Sequence, residues 1–173
     1  MVEFIEMQEN DIVFLSELLN EPEIIASLHI TAVSYDKWLE AYNNVWKEDP
    51  YEKHFIIYSD KNSVGWLKLN GFDSKEKAWI SELAVSSKSR RQGIGMSAIK
   101  FAEEYVISKG FTKMGLWTQE DNIAAQALYK KCGYEVTFVK DDVYSDGIEG
   151  KSYRLEKILH TGLQAFSSVA KYK

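Results

Sequence analysis

The sequence predicts one α/β domain built on a mixed β-sheet. Short runs of alternating or continuous apolar residues recur at 2–7, 54–59, 64–69 and 78–85, the mark of strands. A strongly amphipathic segment follows at 94–106, after which strand and helix patterns alternate as far as residue 158. At 173 residues and 45% hydrophobic content, the chain is large enough to bury one core without covalent staples.

Residues 2–7 alternate like a first strand. From Asn10 to Asn20, Ile12, Leu15, Leu18 and Leu19 stand at helical spacing, and the pattern stops before Pro22. Ser34 is positioned to cap a second helix reaching Glu48, anchored by Trp38, Leu39, Tyr42 and Trp46. His54–Ser59 and Val64–Leu69 read as a hairpin around the turn 60–63. Ala78–Val85 follows the turn 71–77 as the next strand. In the strongest helix Ile94, Ala98, Phe101, Ala102, Tyr105 and Val106 form one stripe, with Gly110 just past its end. Lys113–Thr118 is a short strand and Asn122–Lys131 a helix stopped by Gly133. Tyr134–Lys140 and Ser152–Ile158 close the sheet. Trp66, Trp79 and Trp117 fall in these strands and read as core. The expectation is a domain over 1–159 with about four helices. Residues 160–173 form either a short extra helix or a tail.

The net charge of −5 lacks the basic footprint of a nucleic-acid binder, so no nucleic-acid partner is expected. Cys132 is the single cysteine and cannot form an internal disulfide, which fits a reducing compartment. No basic leader with an apolar run opens the chain, and no stretch reaches the roughly 18–20 apolar residues of a membrane span. A cytoplasmic location without membrane association is expected. The three histidines, at 29, 54 and 160, show no metal-ligand spacing, so no metal is expected.

The stretch that carries chemistry runs from Glu82 to Gly95: a strand, a short basic loop, two glycines and the start of the amphipathic helix. Gly93 and Gly95 let a ligand approach the backbone without interference from a Cβ. The first helical turn offers unpaired N–H groups and the positive end of the helix dipole, an anion site suited to phosphate. Arg90 and Arg91 add forked donors of fixed charge. A Walker A site is excluded, because no Gly-Lys-Ser/Thr follows. Gly93-x-Gly95-x-x-Ala98 has the form of a dinucleotide fingerprint. However, Ser86–Gln92 separates it from its strand, and it arrives halfway along the chain rather than opening it.

Arg90-Arg91-Gln92-Gly93-Ile94-Gly95 resembles the Gln/Arg-x-x-Gly-x-Gly/Ala signature of GNAT N-acetyltransferases, in which the loop binds the pyrophosphate of acetyl-CoA. Glu82-Leu83-Ala84-Val85 resembles the family's preceding strand. Asn122 to Tyr134 resembles its Asn-x-x-Ala-x-x-Leu-Tyr-x-x-x-Gly-Phe segment, with Tyr134 in place of the final Phe. The three pieces together cover residues 78–136. The resemblance implies a GNAT-like fold, mostly antiparallel with a parallel pair splayed at the cofactor site.

It further implies acetyl-CoA as cosubstrate, with Arg90, Arg91, Gln92, Gly93, Ile94, Gly95, Met96 and Ser97 at the phosphates. Leu83, Ala84 and Val85 would lie along the pantetheine arm and thioester, and Asn122 against the same arm. Asn122 and Tyr129 are seven apart, two turns along one helix face. Tyr129 would protonate the departing thiolate and Glu82 would serve as general base or anchor a relaying water. Without the resemblance Tyr129 reads as a half-buried core tyrosine, and solvent or another carboxylate competes with Glu82 for its role.

The implied reaction is direct acetyl transfer to a primary amine of a small molecule or peptide; the alternative is a non-catalytic acyl-CoA-binding or sensing module on the same fold. Polyamines, antibiotics, protein N-termini and other small amines all remain open as acceptors. Residues 140–147 read as a solvated loop, with an acidic wall for a cationic amine as the alternative. A homodimer, the commonest soluble assembly, is open as well.

Overall fold

The computed structural model describes residues 1–74 and 76–160; the proposed appendage over 161–173 lies outside the described residues. Seven strands form one sheet: β1 (Val2–Glu6), β2 (Lys53–Ser59), β3 (Asn62–Asn70), β4 (Ala78–Val85), β5 (Lys113–Gln119), β6 (Glu135–Val143) and β7 (Glu149–Ile158). Their spatial order is β1-β2-β3-β4-β5-β7-β6. Every neighbouring pair is antiparallel except β4 and β5. Among the described residues, five α-helices accompany the sheet: α1 (Ile12–Leu19), α2 (Pro22–Leu28), α3 (Tyr35–Ala41), α4 (Ile94–Ser108) and α5 (Ile123–Lys131).

The parallel pair is short. Ala78 pairs with Met114, Trp79 with Gly115 and Ile80 with Leu116, and there the ladder ends. β4 nevertheless runs on to Val85 and β5 to Gln119, so the two strands part and open a wedge in the middle of the sheet. α4 lies in the crossover that joins the two parallel strands.

The apolar pattern of the central strands reflects burial on both faces. Phe55 and Ile57 of β2, and Leu67 and Leu69 of β3, pack beneath Ile94, Ala98, Ile99, Ala102 and Val106 of α4. Ile56 and Trp66 point the other way, into a second cluster with Ile12, Leu15, Leu18 and Leu19 of α1 and Ile24 of α2. Phe101 extends the first cluster to the sheet edge, stacking on Phe4 with ring centroids 4.3 Å apart. Leu67 is fully buried in the first cluster, so Leu67→Ala is expected to destabilise the fold by about 2–5 kcal/mol, read from the denaturant midpoint.

Four expectations change. Pro22 does follow the end of the first helix, but it also starts α2 from its first turn, where its missing N–H costs nothing, which adds a short helix that was not expected. The helix expected over 34–48 is α helical only to Ala41 and continues as a π-helical turn, Tyr42–Trp46. The closing strands are longer than read: β6 reaches Val143, so residues 140–143, expected in a loop, are strand. Trp66 is buried but Trp117 is 41% exposed, since its face of β5 is covered only by Phe138 beside it, with Lys140 and Arg154 over the ring. Trp79 lies between these two, half-buried under the Lys77 ammonium.

Candidate active site

The wedge between β4 and β5 opens into a cleft of about 560 Å³. Its walls bring together Glu82, Leu83, Ala84 and Val85 of β4, Arg90, Arg91 and Gly93 of the loop, Ile94, Gly95 and Met96 of α4, Asn122 at the cap of α5, and Tyr129 of α5. Twelve of the fourteen residues singled out from the sequence therefore share one cleft. Gln92 and Ser97 do not: Gln92 is exposed to solvent, and the Ser97 N–H donates to the Gly93 carbonyl at 3.0 Å as the first bond of the helix.

That bond defines what the start of α4 leaves open. Gly93 precedes the helix and has no side chain with which to cap it, so the N–H groups of the first turn keep no helical partner. Gly93 has φ +80°, and Arg91 beside it φ 66°, two left-handed residues that fold the loop over the helix end. A Cβ on Gly93 would point into open space, so backbone conformation rather than packing calls for glycine there. Gly95 lines the cleft and meets a packing constraint as well. A Cβ at Gly95 would come within 2.9 Å of the Leu128 side chain, so it serves the close approach of α4 to α5. Arg90 and Arg91 are exposed, and the Arg90 Nε donates to the Val85 carbonyl at 3.2 Å, which folds the guanidinium back along the strand end. Exposed cations over an uncapped helix start form an anion site.

Glu21 is a contributor that the sequence reading missed. Its carboxylate accepts from the Ser86 hydroxyl at 2.7 Å and the Ser87 N–H at 2.8 Å, tying α2 to the turn that follows β4. Burial alone would raise its pKa, but these hydrogen bonds outweigh it and hold the carboxyl below the usual range.

Deeper in the cleft, Glu82 stands opposite Lys68 in the β3–β4 register. Burial pushes its pKa up to about 7, and the nearby Lys68 ammonium offsets only part of that. Lys68 is itself held by Glu52, at 2.9 Å, which draws its charge away from Glu82. Tyr129 on α5 is buried, 7% exposed, with its ring edge-on to Tyr134. Burial raises its pKa well above the ordinary tyrosine value, and the charge of Glu82 raises it further, so the two groups feel each other across the wedge. The cleft thus holds a carboxylate whose pKa is raised toward neutrality and a phenol whose pKa is raised above its ordinary value.

Asn122 lines the cleft with its amide engaged elsewhere. Its Oδ1 accepts from the Ala125 N–H at 3.2 Å, capping α5, and its Nδ2 donates to the Ser27 carbonyl at 2.9 Å, joining α5 to α2. Ile24, Leu28, Ile30 and Trp117 add apolar side chains to the cleft lining.

The sheet opens at one short parallel pair beside an uncapped helix start, with a carboxylate and a buried phenol in the same cleft. The chain belongs to the Acetyltransferase (GNAT) family, whose model matches residues 14–134. It is 34% identical over 98 residues to a streptothricin acetyltransferase of Escherichia coli, covering 49% of this chain and 56% of that one. It is 32% identical over 81 residues to a probable N-acetyltransferase 14 of Xenopus tropicalis, covering 47% and 39% respectively. The matched stretches thus span about half the length of these relatives. Among solved structures, a spermidine N-acetyltransferase from Vibrio cholerae, in complex with CoA and spermine, shares the fold with a TM-score of 0.83. That match covers 91% of this chain and 95% of the other at 20% identity. No described helix is long and apolar enough to cross a membrane.

Proposed function

We propose that the chain transfers acetyl from acetyl-CoA directly to a primary amine. The observation that carries this reading is the meeting of Glu82 and Tyr129 in a cleft whose other end is the uncapped start of α4 flanked by two arginines. The diphosphate fits the N–H groups of Gly93 to Met96, with Arg90 and Arg91 above it. The pantetheine arm then runs along Leu83–Val85, on the edge of β4 that β5 has left.

An ammonium has no lone pair, so the acceptor nitrogen must lose a proton before it attacks the thioester carbon. Glu82, directly or through a water, takes that proton; a carboxylate titrating near pH 7 is matched to the task. As the C–N bond forms, negative charge grows on the carbonyl oxygen, and the N–H of Leu83 or a close neighbour on the freed edge of β4 stabilises it. The C–S bond then breaks and the Tyr129 hydroxyl gives its proton to the departing thiolate. The raised pKa of Tyr129 guarantees that this proton is present at neutral pH.

Purified protein incubated with acetyl-CoA and a panel of primary amines is expected to release free CoA in step with acetylated amine. Binding of acetyl-CoA with no release for any amine would instead mark a non-catalytic acyl-CoA-binding module. The protein is proposed to act free of membranes and nucleic acid in the cytoplasm.

A further inference from the structure

Residues 140–147, for which an acidic wall is the alternative to a solvated loop, place none of their carboxylates in the lining of the cleft. Asp142 accepts from the Ser152 hydroxyl at 2.7 Å and pairs with Lys140 at 2.8 Å, on the exposed strand β6. Asp146 turns inward, and its Oδ2 receives the Nδ1–H of His29 at 2.7 Å. On the other side of the same ring, the His29 Nε2–H donates to Asp121 Oδ2 at 2.9 Å. Carboxylates only accept, so a ring that serves both is the imidazolium. His29 itself is buried, ends α2 in a left-handed conformation with φ 51°, and packs against the Tyr144 ring.

This clamp has a consequence for the cleft. Ser145 and Asn122, the immediate neighbours of Asp146 and Asp121, line it, while the two aspartates themselves do not. The charged groups lining it among the described residues are Arg90 and Arg91 at the phosphate end, and Glu82. Beyond these three the lining is uncharged and includes Ile24, Leu28, Ile30, Trp117 and the neutral Ser27 and Ser145, so Glu82 is its one carboxylate among the described residues. A second ammonium on the acceptor would have to leave water there without a counter-charge, which is strongly unfavourable.

The structure assigns to His29 the role of a specificity-determining residue: by holding Asp121 and Asp146 away from the cleft, it makes the acceptor end select a monoamine with an apolar body over a diamine or polyamine. This inference rests on the acetyl-transfer reading above and narrows its acceptor class. It also separates this chain from the spermine-bound neighbour, with which it shares only the fold. In the His29→Asn variant the aspartates regain freedom, while asparagine tolerates the left-handed backbone.

The test compares hexylamine with 1,6-diaminohexane, equal in length and different by one ammonium. In the native protein, kcat/KM from CoA release is expected to favour hexylamine by at least about 10-fold, a difference of about 1.4 kcal/mol. In His29→Asn that preference shrinks by a similar factor, and removing both carboxylates in the background of that variant (Asp121→Asn with Asp146→Asn) restores it. A native preference for the diamine or for spermidine would overturn the inference and leave acetyl transfer standing. An unchanged preference in a folded His29→Asn protein would overturn the assignment to His29. Absence of release for every amine would fail the acetyl-transfer reading instead; calorimetric binding of the same two amines to the CoA-loaded native protein then still decides selectivity, with tighter binding of the diamine overturning it.

Discussion

Replacing Tyr129 by Phe is expected to lower turnover by about 10²–10⁴-fold while leaving the affinity for acetyl-CoA nearly unchanged. The substitution removes one oxygen from a buried ring and leaves its packing against Tyr134 in place, so the fold has little reason to respond. The loss falls on kcat because the proton is needed only as the thiolate departs, and a bound thioester gains nothing from it beforehand. Burial and the charge of Glu82 both raise the Tyr129 pKa, so in the native protein the high-pH fall in rate due to this group lies above the ordinary tyrosine range near 10. Steady-state kinetics with acetyl-CoA varied at saturating amine separates the two parameters. A change confined to KM would return Tyr129 to the role of a packed core side chain.

Glu82→Gln carries the second large effect, and its sign depends on pH. As a base Glu82 must be ionised, and its pKa stands near 7. The ratio of native to variant kcat is therefore expected to climb as pH rises through about 7 and then level, reaching about 10²–10⁴ at pH 8. Ionisation of the amine itself affects both proteins alike and cancels in the ratio. Stability should move in the opposite direction. The folded pKa lies above the unfolded value, so the contribution of Glu82 is intact below about pH 4.5 and is lost as pH rises toward 7. Above pH 7 the fold holds a desolvated carboxylate at a cost of about 3 kcal/mol. Glu82→Gln is thus expected to raise Tm at pH 8 and to leave it nearly unchanged at pH 4.5. A slower but more stable variant is the signature of a group retained for chemistry. Equal rate ratios at pH 6 and pH 8 would remove Glu82 as the base.

The elements that carry both groups are legible because their signals are local, while the roles expected of the two side chains come from the family resemblance. Glu82 lies three residues from the end of a clear strand, and Gly93 and Gly95 open the most periodic helix of the chain. Tyr129 sits on a helix bounded by a capping Asn122 and by Gly133. Where sequence signals were ambiguous in sign, the reading failed. Pro22 stops one helix and starts another with the same ring, and only the stop was read. The alternation of β5 places Trp117 on a face, but period two does not say whether anything covers that face, and little does. The acceptor end was beyond reach for a different reason. His29 meets Asp121 and Asp146 across separations of 92 and 117 residues, and Glu21 meets Ser86 across 65. No local pattern encodes such contacts; they exist only once the sheet has closed and brought α2 over the wedge.

Acetyl transfer by this chain requires the uncapped start of α4 to grip a diphosphate. Calorimetric titration of CoA into the native protein and into Gly93→Val tests it, because valine resists the φ of +80° that shapes the loop and adds side-chain bulk where the ligand would lie. Saturable binding of one CoA per chain, weakened by salt and at least about 10-fold weaker in the variant, is the predicted result. Absence of binding to the native protein, or equal binding by the two, would contradict it.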